Sequence, residues 1–319
     1  MQRQSAAIVN PAAGNGRAGR AWPQLADRLH ARLGDVAVRL TDSPGHATRI
    51  ARELAEAGFD LIIAVGGDGT ISEVANGILQ SDRALGRGVQ LGIVPVGTGG
   101  DLRRSLRIPT DPREAIEAIV HGQSLAIDVG KASLVASDGA SARRYFVNLA
   151  SFGLGGDVAA AAKNRLTVLG GRTAFLWATL KGLATFRGRE VEIELDESGV
   201  PRRFFVSNVA VGNGRYHGGG MQPCPRARMN DGLLDVTVIE YMNPLQVLRN
   251  IHVLYSDDVY RLSKVHRLEA RKLRARADQP TLVEMDGEPI GYLPLEIEIL
   301  PRRLNVLLSP SSPHFRKSG

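Results

Sequence analysis

The chain has 319 residues, of which 43% are hydrophobic and 23% charged, and its formal net charge is +7. This length exceeds that of a usual single domain, and the composition excludes a disordered chain. The single cysteine, Cys224, cannot form an internal disulfide, and no run approaches the roughly 20 apolar residues of a membrane span. We therefore expect a cytoplasmic protein of two domains with an anionic partner: a nucleotide, a nucleic acid or a lipid headgroup.

Short apolar runs alternate with helical patterns over the first 130 residues. The candidate strands are Ala6 to Val9, Val36 to Leu40, Leu61 to Val65 and Leu91 to Val94. Apolar residues recur at helical spacing between them, which is typical of a parallel sheet with helices on both faces. The pattern predicts an α/β domain over residues 1–129.

The pattern changes to alternating segments after Asp128. The candidate strands are residues 144–149, 191–195, 204–211, 234–239 and 295–299, with turn signals at 197–199, 230–232 and 286–287. Alternation with short turns predicts an antiparallel sheet or sandwich. We place this larger β-sandwich domain at 130–300, followed by a C-terminal tail, 301–319, that could return to the first domain.

A glycine turn follows the candidate strand LIIAV directly, at Gly66 and Gly67. Two glycines there let an oxygen-rich ligand approach the backbone. Thr70 and Glu73 are spaced as a T-x-x-E capping box, which predicts a helix whose N-terminal amides suit phosphate. Asp68 lies between, and a carboxylate beside phosphates either holds Mg²⁺ or accepts a proton. The alternative is an Asp-Gly turn that caps a helix.

Two further glycine loops follow other candidate strands: residues 10–16, NPAAGNG, and residues 95–101, PVGTGGD. Ligands of open α/β sheets bind at the carboxyl edge of the strands. The three loops are therefore expected to form one phosphate-binding crevice, which predicts a kinase.

These motifs together resemble a known family, the bacterial lipid kinases related to diacylglycerol kinases and, more distantly, to sphingosine and ceramide kinases. The resemblance covers Asn10 to Pro289 and rests on NP-x-x-G-x-G, GGDGT with E-x-x-NG, P-x-GTGGD, DGLLDV and DGEP in that order. It implies an α/β nucleotide-binding domain, a β-sandwich domain for the lipid, and an active site in the cleft between them. The cofactors implied are ATP and Mg²⁺.

The resemblance assigns contacts with ATP to residues of the first half of the chain: Asn10, Pro11, Ala12, Ala13, Gly14, Thr41, Gly66, Gly67, Asp68, Gly69, Thr70, Ile71, Ser72, Glu73, Gly97 and Thr98. For Thr41, an N-terminal cap of the helix beginning near Ala47 is an equal alternative.

The chain departs from the family pattern GT-x-ND at Gly100, where the family has asparagine. The loss of amide hydrogen bonds there is expected to weaken or retune nucleotide binding. Asp101 keeps a carboxylate that could join Asp68 and Asp128 in a network that holds Mg²⁺.

Carboxylates of the second half complete the assignment that the resemblance implies. Glu288 is the proton acceptor, with Asp286 and Asp68 beside it, while a hairpin turn is the alternative for Asp286–Gly287. Asp231, with the carbonyls of Arg228 and Leu233, would hold a structural Mg²⁺, and a turn without metal is its alternative.

Two other segments are candidates for substrate contact. The loop NGRYHGGG, residues 213–220, is a candidate mobile wall of a substrate cleft; His217 could touch a headgroup, although a solvent-facing histidine is the favoured interpretation. From Val158 to Arg189 there are six basic residues and no acidic one, among apolar residues. This stretch is either a cationic amphipathic helix on an anionic membrane surface or a helix packed on the sandwich.

We predict a lipid kinase, peripherally associated with the membrane, that phosphorylates a hydroxyl of diacylglycerol or of a related glycerolipid or sphingoid lipid. The alternatives are a NAD kinase, which shares GGDGT but not the Asn10-Pro11 loop or DGEP, and a catalytically weak lipid-binding protein. At 5% aromatic residues no nucleic-acid partner is expected. The sequence leaves open whether the protein forms a homodimer.

Overall fold

The computed structural model describes residues 3–81, 83, 88–97, 99–136, 139–163, 182, 186–196 and 200–315. Contacts divide the chain into two units: the first comprises Met1–Ile127 and Arg302–Gly319, and the second Asp128–Pro301. The division falls after Ile127, beside the boundary predicted between residues 129 and 130, and the last residues belong to the first unit.

The first unit alternates strands and helices. In chain order these are β1 (Ser5–Val9), α1 (Arg17–Leu33), β2 (Val36–Leu40), α2 (His46–Glu56), β3 (Leu61–Gly66), α3 (Asp68–Gln80), β4 (Gln90–Pro95), α4 (Asp101–Leu106) and α5 (Pro112–Val120). The strand order is β2-β1-β3-β4, with parallel pairing throughout. Every side chain of β1 and β3 is buried, as expected of central strands.

The second unit is built mainly from strands. Its elements are β5 (Gln123–Ala136, which begins in the first unit), β6 (Ser141–Phe146), β7 (Leu149–Gly153), α6 (Leu154–Lys163), β8 (Arg189–Leu195), β9 (Arg202–Gly212), β10 (Leu234–Glu240), α7 (Pro244–Asn250), β11 (Val265–Ala270), β12 (Lys272–Arg276), β13 (Leu282–Met285) and β14 (Glu288–Leu308). Short 3₁₀ helices cover Ile251–Tyr255, Asp257–Arg261 and Pro313–Phe315.

An apolar core of inward-facing strand residues holds the second unit together. Phe146, Phe152, Val209 and Val283 are among its buried members. The strands pair antiparallel, for example β9 with β10 and β13 with β7, which is the pairing expected of a sandwich.

Strand β14 is 21 residues long and crosses from one unit to the other along the chain. Its last part lies in the first unit, where Asn305 and Val306 pair parallel with Gln90 and Leu91 of β4. The first unit therefore contains a strand from the far end of the sequence.

One predicted strand is wrong in its extent. The sequence favoured a single strand over residues 144–149, but β6 ends at Phe146, residues 147–148 form a bend, and β7 begins at Leu149. The backbone breaks because the carboxylate of Asp286 accepts the N–H groups of Val147, Asn148 and Leu149, all at 3.0 Å. A contact this distant in sequence leaves no mark in a local pattern.

Candidate active site

The three glycine loops of the first unit meet at the carboxyl edge of its sheet. The Asn10 N–H donates to the Val65 carbonyl (3.1 Å), and the Val96 N–H donates to the Gly66 carbonyl (2.8 Å). The loops after β1, β3 and β4 are therefore neighbours. This edge of a parallel sheet is where such folds bind their ligands.

Glycine is required where two of these loops touch. A Cβ added to Gly97 would lie 2.6 Å from the Cα of Gly67, and one added to Gly66 would lie 2.6 Å from Oγ1 of Thr70. The backbones thus approach more closely than any side chain permits. Gly69 lies in the first turn of α3, at the same place.

The side chain of Asn10 joins the first loop to α3. Its Nδ2 donates to Oγ1 of Thr70 (3.1 Å), and its Oδ1 accepts the N–H of Ala12 (3.1 Å). The Pro11 carbonyl accepts the Gly19 N–H in α1, and the Ala13 N–H donates to the Asn10 carbonyl. The loop is therefore held in place by hydrogen bonds within the first unit.

Arg17 was missed by the sequence reasoning. Its Nε donates to the Gly14 carbonyl (3.1 Å) and its Nη2 to the Gly97 carbonyl (3.3 Å), so one guanidinium spans the first and third loops. A signal was present, because an arginine at the start of a helix opposes the helix dipole and needs another reason to be there. A cation here suits phosphate.

Asp68 is bound to the third loop rather than left free in the crevice. Its Oδ2 accepts the Gly100 N–H (2.5 Å), and its Oδ1 lies 3.4 Å from the Leu102 nitrogen, so the carboxylate caps α4. Burial raises the pKa of the Asp68 carboxyl above its ordinary value, and the nearby Asp101 carboxylate adds to the rise. Asp101 is in turn paired with Arg104, at 2.9 Å.

The carboxylates proposed from the sequence for a Mg²⁺ network, Asp68, Asp101 and Asp128, each have partners within their own unit. Among the described residues, no group of three acidic, histidine or cysteine side chains could hold a metal ion. Asp128 is fully buried and its Oδ2 accepts the Gly232 N–H (2.7 Å), so its carboxylate secures the DGLLDV loop. Asp68 and Asp101 stay the candidate ligands, a number that suits Mg²⁺ when phosphates and water supply the rest.

The predicted capping box is wrong. Helix α3 begins at Asp68 after Gly67, and no side chain caps it. The carboxylate of Glu73 instead accepts the N–H groups of Gly45 (2.9 Å) and Ala47 (3.0 Å), at the start of α2. The T-x-x-E spacing predicts a bond between Glu73 and the start of its own helix, but the Glu73 carboxylate binds the amides at the start of α2 instead.

Other predicted nucleotide residues lie as follows. Ile71 is buried within α3 and its N–H donates to the Gly67 carbonyl, while Ser72 lies one residue further into the helix. The Thr41 N–H donates to the Val9 carbonyl at the same sheet edge. Its alternative role as a helix cap is wrong, because Gly45 precedes α2. Thr98 lies outside the described residues.

Gly100 adopts the left-handed conformation, with φ +76°, directly before α4. Asparagine is, after glycine, among the residues that tolerate this region best, so the family's asparagine and this glycine satisfy the same backbone. What the chain lacks at this position is the side-chain amide.

In the second unit, the DGE segment is a two-residue hairpin turn between β13 and β14. Asp286 and Gly287 have φ +50° and +89°, the pattern of a type I′ turn. Asp286 holds the bend at 147–149, as described above. The Glu288 carboxylate, by contrast, accepts no hydrogen bond from the described residues and is partly exposed, which leaves it open to a substrate hydroxyl.

Hydrogen bonds within the second unit shape the turn of the DGLLDV loop. Asp231 Oδ1 accepts the Leu233 N–H (3.1 Å), and the Met229 carbonyl accepts the Asp128 N–H. These bonds define the turn next to Arg228. A structural Mg²⁺ at this loop stays a prediction.

The second unit also contains a cavity of about 300 Å³ with a largely apolar lining. Leu154 and Val158 of α6, Ile239 of β10 and Leu254 are among the residues that line it, and Ser151 and His217 are polar members of the wall. Such a shape suits an apolar ligand with one polar end.

His217 is not the solvent-facing histidine that was favoured from the sequence. It is 9% exposed, and its Nε2 lies 3.4 Å from Oε1 of the buried Glu284. The predicted cationic segment between Val158 and Arg189 lies for the most part outside the described residues, although α6 at its start lines the cavity. No described helix is long and apolar enough to cross a membrane.

The comparisons with known proteins agree with this geometry. Residues 4–132 match the family model of the diacylglycerol kinase catalytic domain, and residues 148–308 match the YegS C-terminal NAD kinase beta sandwich-like domain. A probable lipid kinase YegS-like from Pseudomonas aeruginosa is 32% identical over 89% of this chain and 88% of its own. The chain belongs to the YegS and diacylglycerol kinase-like family of lipid kinases.

Further relatives also match over nearly the whole of both chains. The diacylglycerol kinase of Bacillus subtilis is 28% identical over 94% of this chain and 95% of its own. The crystal structure of a putative diacylglycerol kinase from Bacillus anthracis superposes with a TM-score of 0.77 at 27% identity, covering 97% of this chain and 98% of that one. Yeast NADH kinase (TM-score 0.53, 13% identity, 99% and 86% covered) shares the fold alone.

Proposed function

We propose that this lipid kinase transfers the γ-phosphate of ATP, with Mg²⁺, to a hydroxyl of diacylglycerol or of a related glycerolipid or sphingoid lipid. The first unit, with helices on both faces of its parallel sheet, binds the nucleotide. The second unit binds the lipid. The observation that carries the proposal is the meeting of three glycine loops, spanned by Arg17, at one sheet edge.

The loops act on the phosphates through backbone and charge. The start of α3 has no side-chain cap, so its first amides suit phosphate oxygens. Arg17 adds positive charge, while Asp68 and Asp101 are the carboxylates that Mg²⁺ would use. When bound, Mg²⁺ neutralises the charge that develops on the transferred phosphoryl group.

The carboxylate of Glu288 is proposed to accept the proton of the lipid hydroxyl, since it has no other hydrogen-bond partner among the described residues. Asp286 fixes the turn that carries Glu288. The apolar cavity takes the acyl chains, with its polar wall facing the headgroup. We further propose that the enzyme reaches its substrate at an anionic membrane surface, which the excess of basic residues favours.

The test is to incubate the protein with labelled ATP, Mg²⁺ and extracted lipids and to identify any labelled lipid, with NAD assayed in parallel. Glu288→Gln should abolish labelling and leave thermal unfolding unchanged. Glu296→Gln is the matched control, because that carboxylate lies on the same strand but pairs with Lys272 and Arg274 at the surface. Labelled NAD, or full labelling of lipid by Glu288→Gln, would contradict the proposal.

A further inference from the structure

One buried carboxylate has no role in the function described so far. Glu284 lies on β13 and is 0% exposed. Its neighbours Val283 and Met285 point into the sandwich core, so Glu284 points to the opposite face of the sheet. The residue opposite it on β7 is Ser151, which lines the cavity. Burying a carboxylate costs several kcal/mol unless it is hydrogen-bonded, so its partners identify its role.

The two oxygens of Glu284 serve two different structures. Oε1 accepts the hydroxyl of Ser151 (2.7 Å) and lies 3.4 Å from Nε2 of His217; both partners line the cavity. Oε2 accepts the N–H of Gly287 (2.9 Å), in the turn directly before Glu288. A single carboxylate therefore joins the polar wall of the cavity to the turn that carries the proposed base.

That turn is held from two sides. Asp286 is fixed by the three amides at 147–149, and Gly287 by Glu284. Glu288 follows Gly287 without a hydrogen-bonding partner of its own among the described side chains, so the turn determines where its carboxylate lies. A change at Oε1 reaches Gly287 through the same rigid group, and residues of one hydrogen-bond network commonly couple by about 0.5–3 kcal/mol.

We propose that Glu284 is a positioning residue that couples occupation of the cavity to the placement of Glu288, with His217 and Ser151 as the groups that the polar end of the lipid contacts. The inference rests on the proposed function, and it names the wall of the cavity that senses the substrate. The ligand class is a lipid with a hydroxyl or ester oxygen next to its acyl chains.

The kinetic test compares Glu284→Gln and Glu284→Ala on dispersed short-chain diacylglycerol. In Glu284→Ala we expect kcat to fall about tenfold, because the Gly287 N–H loses its acceptor, while the KM for ATP stays within about twofold. Glu284→Gln keeps an acceptor and should lose about threefold. Glu296→Gln is the control and should match the wild type in kcat.

The second measurement does not depend on turnover. Amide hydrogen exchange at Gly287 should slow when short-chain diacylglycerol is added to the wild type, and Glu284→Gln, which keeps the volume and the fold, should lose most of this slowing. In a double-mutant cycle of Glu284→Gln and His217→Gln, the combined loss of kcat should be smaller than the sum of the two single losses on a free-energy scale.

Wild-type kcat in both Glu284 variants would overturn the inference, as would exchange at Gly287 that the lipid leaves unchanged in the wild type. A wild-type protein that labels no lipid defeats the proposed function instead. In that case the exchange measurement still decides whether Glu284 links the cavity to the turn.

Discussion

Asp68 combines a raised pKa with a buried position, and this determines how stability depends on pH. Because its pKa is raised in the folded protein, the carboxyl favours folding while protonated, and that contribution is lost as pH rises from the unfolded value of 3.8 through the folded value. The residue thus weakens the fold at neutral pH, as functional carboxylates often do.

Asp68→Asn should therefore remove this pH dependence. We expect the free energy of unfolding of the variant to increase relative to that of the wild type as pH rises above 3.8, because only the wild type must ionise a buried group. Urea unfolding of both proteins from pH 3.5 to 7 measures it. The same variant should lose lipid labelling. A constant difference across this range would show that Asp68 is not buried in the ionised form.

Gly97 and Gly67 offer a matched pair of glycines for testing the contact between loops. Gly97→Ala places a Cβ 2.6 Å from Gly67, whereas Gly67→Ala places one at an ordinary 3.6 Å from Gly97. We expect Gly97→Ala to cost about 1–3 kcal/mol of unfolding free energy by overpacking, and Gly67→Ala less than about 1 kcal/mol. Equal costs in urea unfolding would contradict the observed approach of the loops.

Gly100→Asn restores the family residue at a backbone that tolerates it. One regained amide hydrogen bond to the nucleotide is worth about 1 kcal/mol, so we expect the KM for ATP to fall about fivefold. Gly100→Ala is the control, since it meets the same positive φ without an amide and should lower stability alone. An unchanged KM in Gly100→Asn would mean that the amide has no contact with the nucleotide.

At the level of elements, local pattern predicted the strands of the first unit well. The bounds of β2 match the prediction, β1 and β3 differ from it by one residue at one end, and β4 is one residue longer at each end. Continuous apolar runs between glycine loops explain this success. The misses, the capping box and the strand across 144–149, both arise from carboxylates that serve amides far away in sequence.

Glu73 is the clearest of these cases, and it can be tested. Glu73→Ala leaves two amides at the start of α2 without an acceptor, which should cost about 1–3 kcal/mol. The control Glu53→Ala removes an exposed carboxylate of α2 itself, whose pair with Arg49 is worth less than about 1 kcal/mol. Chemical unfolding compares the two, and a cost for Glu73→Ala no greater than that for Glu53→Ala would refute the assignment.

At the scale of the molecule, the motifs were sufficient to predict the family and the two-unit plan, because glycine loops and Asp-Gly turns occur in a characteristic order. The cavity and its buried Glu284 could not be predicted. Alternation places Glu284 on the face of β13 opposite to the core-facing Val283 and Met285, and the local pattern does not show that this face is covered. Arg17 likewise needed the meeting of two distant loops to gain a role.

Truncation can test whether the first unit needs the end of β14 to fold. A fragment of residues 3–127 lacks the outer partner of β4, whereas a fusion of residues 302–315 ahead of it through a flexible linker supplies one. We expect cooperative urea unfolding only for the fusion, because an unpaired strand edge loses its hydrogen bonds. Cooperative unfolding of the bare fragment would show that the final strand is dispensable.

Strand β14 also dictates an order of events on the ribosome. Although most of the first unit is translated before the second, the part of β14 that lies beside β4 is made some 200 residues after β4 itself, and domains otherwise tend to fold as they emerge. During synthesis the outer edge of β4 therefore stays unpaired until the second unit has been produced. A nascent chain therefore cannot complete the sheet of its first unit until the second unit has been translated.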